Sequence, residues 1–166
     1  LSRIVFALKG DGLKKLQDDI IGGINEQIKK LLSRAEVERD SITQMAVAGN
    51  TTMTHLLLGL NPKYLREAPY VPATNFVAPL RAAELGLDLG YHVILFIFPS
   101  IASYVGGDIT AGLLATGVYG DEALTLYIDV GTNGEVAVGN MDWIMTASCS
   151  AGPAFEGGGI GHGMIA

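Results

Sequence analysis

Leu13, Leu16, Ile20, Ile24, Ile28 and Leu31 recur at steps of three or four along the chain. That spacing predicts one amphipathic helix of about five turns, its apolar stripe turned to a core. Lys14, Lys15, Lys29 and Lys30 fall largely off the stripe, as a solvated face requires. Residues 42–48 form an apolar run that predicts a buried strand. The run meets Gly49-Asn50-Thr51-Thr52, and the TMTHLLLGL that follows predicts a helix capped by Asn or Thr. Residues 61–79 hold four of the six prolines, which predicts a long loop or an extended crossing. LRAAELGL at 80–87 predicts a short helix. HVILFIF at 92–98 is apolar without a break, the pattern of a strand covered on both faces. DITAGLLATG at 108–117 predicts a short helix closed by Gly117. Residues 124–130, 135–140 and 143–148 predict three strands in quick succession, and the remainder is glycine-rich.

Helix and strand alternate through the first two thirds, and an antiparallel meander follows. The pattern predicts a mixed α/β chain, with a join between two lobes near residues 118–123. Composition narrows the function. Hydrophobic residues make up 49% of the 166 positions and charged residues 17%, enough to bury a core and too little charge for disorder. The net charge of −6 argues against a nucleic-acid surface and against an anionic membrane patch. No apolar run is long enough to span a membrane. A phosphate ligand survives this test, because backbone N–H groups and a metal bind anions without basic side chains. One cysteine, Cys149, excludes an internal disulfide and any four-cysteine metal or cluster site, which fits a cytoplasmic protein. The chain opens on Leu1-Ser2-Arg3 without an initiator Met and reads as a piece of a longer protein.

Four stretches carry candidate chemistry. In Asp129-Val130-Gly131-Thr132-Asn133-Gly134, an apolar run ends in a carboxylate and a glycine turn. Asn133-Gly134 is the standard signal of a type I′ hairpin. The same turn equally suits a phosphate site, because Asp129 in an apolar strand asks for a metal-bound water or another partner, and the glycines uncover backbone N–H groups. In VAGNTTM (47–53) a strand turns into a helix whose N-terminus faces any ligand at the sheet end, or is simply capped. Asp108 in GGDIT is either a cap of its own helix or a second carboxylate for a metal. SAGPAFEGGGIGHG (150–163) has the glycine density of a diphosphate loop, or of a loose tail. It lacks the Lys-Ser/Thr of a P-loop and the context of a Rossmann fingerprint. His55, His92 and His162 show no metal-ligand spacing, and His55 reads as structural.

DITAGLLATG followed by LTLYIDVGTNGEVAVGN resembles the middle of the actin, sugar-kinase and heat-shock-chaperone ATPase superfamily. There a small-residue helix with an acidic start crosses between lobes, and a strand ending in an Asp-x-Gly turn follows. A narrower resemblance covers nearly the whole chain. AGNTTMTHLLLGLNP, PSIASYVGGDITAGLLATG, YIDVGTNGEVAVGN and CSAGPAFEGGGI together resemble the ATPase portion of the reductive activators of corrinoid proteins. That family couples ATP hydrolysis to one-electron reduction of a Co(II) corrinoid to Co(I).

The resemblance implies an α/β, ribonuclease H-like (actin-like ATPase) lobe, a mixed sheet with flanking helices, present here in part. Residues 1–117 would end the first lobe with its connecting helix, and residues 118–166 would begin the second. It implies ATP and Mg²⁺ as cofactors, with Asp129 and Asp108 as catalytic and metal-holding carboxylates. Gly131, Thr132, Asn133 and Gly134 would cradle phosphates, Asn50 and Thr51 would sit at the sheet end, and Gly152, Gly157 and Gly158 would lie along the nucleotide path. A 2Fe–2S centre belongs to an N-terminal domain of such activators and not to this chain. The implied partner is a corrinoid protein or a corrinoid-dependent methyltransferase. Departures are clear. Nothing before residue 42 resembles the superfamily's first phosphate hairpin, and no adenosine-binding Gly-Gly follows, so this stretch alone is expected to bind ATP weakly or not at all. The missing hairpin would bare a sheet edge, which predicts a homodimer. The alternatives are a small-molecule kinase of the same superfamily, with residues 61–90 as its substrate insertion, and a non-catalytic interaction module.

Overall fold

A computed structural model describes residues 2–131 and 133–150. Their packing divides into two units, residues 1–110 and residues 111–166. The division falls inside one helix, seven residues before the expected boundary at 117/118.

The first unit opens with α1 (Ser2–Ala7), a helix the apolar spacing does not announce. The amphipathic helix follows as α2 (Gly12–Ala35). Its Ile20, Ile21, Ile24 and Ile28 pack against the core formed by Leu57, Ala82, Leu87, Leu89, Val93, Leu95 and Ile97. These isoleucines are only half-buried, so each contributes a fraction of the ~1.5–3 kcal/mol of full burial. Its outer face carries the pairs Lys15–Asp11, Lys14–Asp18 and Lys30–Glu26. These are well exposed and stabilise by a few tenths of a kcal/mol each at most. The helix ends where Glu36 takes the left-handed conformation (φ 53°) and returns its N–H to the Leu32 carbonyl.

Strand β1 (Gln44–Val47) leads into α3 (Thr51–Leu57), a one-turn helix α4 (Lys63–Arg66) and β2 (Leu80–Arg81). A 3₁₀ turn, Ala82–Leu85, stands where a short helix was expected, and β3 (Ile94–Ile97) follows. The sheet order is β1-β3-β2, with β1 parallel to β3 and β2 antiparallel to it. Met45 pairs with Leu95 and Val47 with Ile97, and this face meets the core. The other face is not covered: Ala46 is exposed and Phe96 is 42% exposed. The continuous apolar run of β3 therefore does not mean a strand buried on both sides, and residues 42–48 give a half-exposed strand rather than a buried one.

Helix α5 (Gly107–Thr116) ends at Gly117, whose φ of 75° closes it as expected. In the second unit, β4 (Thr125–Val130), β5 (Asn133–Gly139) and β6 (Ile144–Ser150) form an antiparallel meander in the order β4-β5-β6. The register sorts the two faces. Leu126–Val138–Met145, Ile128–Val136–Ala147 and Val130–Gly134–Cys149 make one apolar face. Tyr127–Ala137–Thr146 and Asp129–Glu135–Ser148 lie on the other. No helix among the described residues is long and apolar enough to cross a membrane. The architecture is mixed α/β with small sheets.

Candidate functional site

Because β1 and β3 are parallel, their carboxyl ends lie side by side, and each strand runs on toward a helix. Crevices at such strand ends are where open α/β sheets hold ligands. The Phe98 N–H donates to the Val47 carbonyl at 2.9 Å and keeps the two chains together one residue past the sheet. Asn50 then caps α3, its Oδ1 accepting from the Met53 N–H at 2.9 Å. Thr51 is buried, and its hydroxyl donates to the Ala102 carbonyl at 2.9 Å.

The approach to α5 presses against this corner. A Cβ on Gly106 would stand 2.5 Å from Asn50 Cα and 2.7 Å from the Thr51 nitrogen. A Cβ on Gly107 would stand 2.5 Å from the Phe98 carbonyl oxygen. Only glycine allows this backbone contact. The Asp108 N–H reaches the Gly49 carbonyl at 3.3 Å, and Asp108 Oδ1 accepts from the Ile109 N–H at 3.0 Å. Asn50, Thr51 and Asp108, far apart in sequence, thus meet at one corner of the first unit. Asp108 is half-buried there and serves its own helix as a cap.

The turn with Asp129 belongs to the second unit. Asp129 is half-buried and lies directly opposite Glu135 in the ladder. Glu135 Oε1 accepts the Ser148 hydroxyl at 3.3 Å. Gly134 is paired with both Val130 and Cys149 and has no positive φ, so Asn133-Gly134 is not the centre of a type I′ turn. The reversal comes earlier, because the meander's next strand has already begun to pair with β6 at Asn133. The Gly131 N–H donates to the Asn133 carbonyl at 3.0 Å, so this donor is used inside the hairpin. Gly134 lies against Cys149, whose thiol donates to the Gly134 carbonyl at 3.1 Å. Thr132, Gly152, Gly157 and Gly158 lie outside the described residues.

Among the described residues, no three His, Cys, Asp or Glu side chains cluster as a metal cage. A Mg²⁺ ion held by one or two carboxylates, waters and ligand phosphates needs no such cage. The residues present are compatible with that mode and with no all-protein site. The most elaborated polar network instead surrounds His55, which spacing alone marked as structural. Its Nδ1 lies 2.7 Å from the Thr51 carbonyl, and its Nε2 accepts from the Ala73 N–H at 2.9 Å. Burial pushes its imidazole below the ordinary histidine value, against the opposing effect of the Thr51 carbonyl.

Comparison with known proteins places these features in a class. The family described as the C-terminal domain of RACo, the ASKHA domain, matches residues 123–166, which implies an actin-like fold. The family described as the RACo middle region matches residues 1–121. The chain therefore belongs to the RACo family, the reductive activators of corrinoid proteins. It is 38% identical over 99% of its length to the corrinoid activation enzyme RamQ of Eubacterium limosum. It is 30% identical over 86% of its length to the [Co(II) methylated amine-specific corrinoid protein] reductase of Methanosarcina barkeri. The chain spans 28% of each of these relatives. A solved reductive activator for corrinoid, iron–sulfur protein superposes with a TM-score of 0.88 at 49% identity, over 98% of this chain and 26% of that one.

Proposed function

We propose that this chain is the nucleotide-handling part of an ATP-dependent activator that returns Co(II) corrinoid proteins to Co(I). The observation that carries the reading is the 49% identity, over 98% of the chain, to a reductive activator for corrinoid, iron–sulfur protein. The balance is simple: one electron passes from a reduced iron–sulfur centre to Co(II), and ATP with water gives ADP and phosphate. This chain has one cysteine, so its own residues do not hold a four-cysteine cluster. A 2Fe–2S centre belongs to another domain in this reading, and the partner is a corrinoid protein or a corrinoid-dependent methyltransferase in the cytoplasm.

In the same reading the fold is ribonuclease H-like, and α5 joins a first lobe to a second. Asp129 and Asp108 are the carboxylates that hold Mg²⁺ through water and orient the attacking water. Bound ATP with Mg²⁺ supplies the phosphoryl transfer, which the protein assists by positioning and charge stabilisation. Gly131, Asn133 and Gly134 approach the phosphates, and the Gly131 N–H must leave its Asn133 carbonyl to do so. Asn50 and Thr51 shape the sheet-end corner through backbone, because the Thr51 hydroxyl is already given to Ala102.

The test is ATP hydrolysis by the full-length protein, wild type against Asp129→Ala, with and without a Co(II) corrinoid protein. Hydrolysis that rises with the corrinoid protein and collapses in the variant is the expected result. Equal hydrolysis in both proteins overturns the assignment of the turn and favours a folding hairpin.

A further inference from the structure

The loop at residues 69–76 presents Tyr70, Val71 and Phe76 to solvent, each more than half exposed. Its backbone is nevertheless tied down. The Ser103 hydroxyl donates to the Tyr70 carbonyl at 2.5 Å, and the Ser100 N–H donates to the Asn75 carbonyl at 2.9 Å. The third tie is of another kind, because it runs through a side chain into the first turn of α3. The Ala73 N–H is a donor, so His55 Nε2 holds a lone pair and Nδ1 holds the proton. That proton goes to the Thr51 carbonyl at 2.7 Å. One neutral tautomer satisfies both ends.

The line continues past Thr51. Its hydroxyl donates to the Ala102 carbonyl, and its nitrogen lies against Gly106 at the entry to α5. Ala73, His55, Thr51 and Ala102 thus form a run of three hydrogen bonds from the exposed loop to the sheet-end corner. His55 is 0% exposed and Thr51 1%. No water reaches them to replace a lost partner, so a shift at one end is passed on rather than absorbed.

We propose that His55 is a positioning residue that couples the 69–76 loop to the corner at residues 49–51. Nucleotide held at the corner then changes the order of the loop and the presentation of Tyr70, Val71 and Phe76. The inference rests on the nucleotide reading above. The coupling needs both ends of the imidazole. His55→Asn keeps a donor for the Thr51 carbonyl and loses the acceptor for Ala73. His55→Gln keeps an acceptor toward Ala73 and loses the donor to Thr51.

Hydrogen–deuterium exchange on the full-length protein, with and without a non-hydrolysable ATP analogue and Mg²⁺, tests it. In wild type the analogue slows exchange in 47–53 and in 69–76 together. In His55→Asn it still slows 47–53, but the response of 69–76 is lost. His55→Gln gives the same loss and replaces His55→Asn if that variant does not fold. Protection of 47–53 without 69–76 in wild type, or an unchanged loop response in the variants, overturns the coupling and leaves the nucleotide reading standing. No binding and no protection at 47–53 overturns both.

Discussion

The Tyr127 hydroxyl occupies the place where a Cβ on Gly112 would stand, so the meander rests on α5 through a tyrosine laid on a glycine. Gly112→Ala overfills this contact and is expected to destabilise the second unit by about 1–3 kcal/mol. Tyr127→Leu in the same chain recovers part of the loss. A double-mutant cycle from urea denaturation reads the coupling, and simple additivity of the two changes counts against the contact.

Asp129 faces Glu135 directly across β4 and β5. Like charges in that position oppose pairing by roughly 0.2–1 kcal/mol. Asp129→Asn is therefore expected to leave the fold as stable as before or slightly more so, while ATP hydrolysis by the full-length protein falls. Denaturation midpoints beside hydrolysis rates check this. A large loss of stability would make Asp129 a structural residue.

Asn50 is both a candidate ligand neighbour and the cap of α3. Asn50→Ala is expected to cost about 1 kcal/mol, and Asn50→Ser or Asn50→Asp to restore most of it. Thermal unfolding of the three variants separates the cap from any ligand role. A capping variant that is stable yet weak in nucleotide binding points to a contact beyond the cap.

His55 makes stability depend on pH. Its folded-state value lies below the ordinary 6.5, because burial disfavours the imidazolium. Above about pH 6.5 neither state is charged, and its contribution is fully present. As pH falls below that, the unfolded chain takes up a proton first and stability drops, until the folded state protonates too. Urea midpoints between mildly alkaline and acidic pH show the slope. Its persistence unchanged in His55→Asn assigns the slope to other groups.

Gly22 and Gly23 sit exposed in the middle of α2 with open space where a Cβ would be. Alanine at either position is expected to stabilise by about 0.5–1 kcal/mol. A thermal-denaturation shift downward instead shows that the glycines meet something other than solvent in the full-length protein.

Much of the fold was legible in one dimension because its causes are local. The three-and-four spacing from Leu13 to Leu31 could satisfy only a helix, and α2 spans it. Gly117 ends α5 because a left-handed residue there needs no Cβ. Three apolar runs with short breaks gave the meander, nearly to the residue. Local signals also misled. Asn133-Gly134 suits a type I′ turn in isolation, but pairing of Gly134 with both neighbours claims it for the strand. The apolar run of β3 satisfies a two-sided strand, yet Phe96 faces outward because α2 covers only one side of the sheet.

The sequence by itself determined the elements, the family motifs and their order, since each depends on neighbours a few residues away. The tertiary structure alone decided which motifs meet. Parallel pairing of β1 with β3 brings Asn50 and Thr51 to Asp108, some sixty residues away, and glycine at 106 and 107 lets their backbones touch. It also turned His55 from a helix residue of no evident role into a link between two loops. Such contacts follow from how buried groups find partners when water is excluded, and no pattern along the chain records that choice.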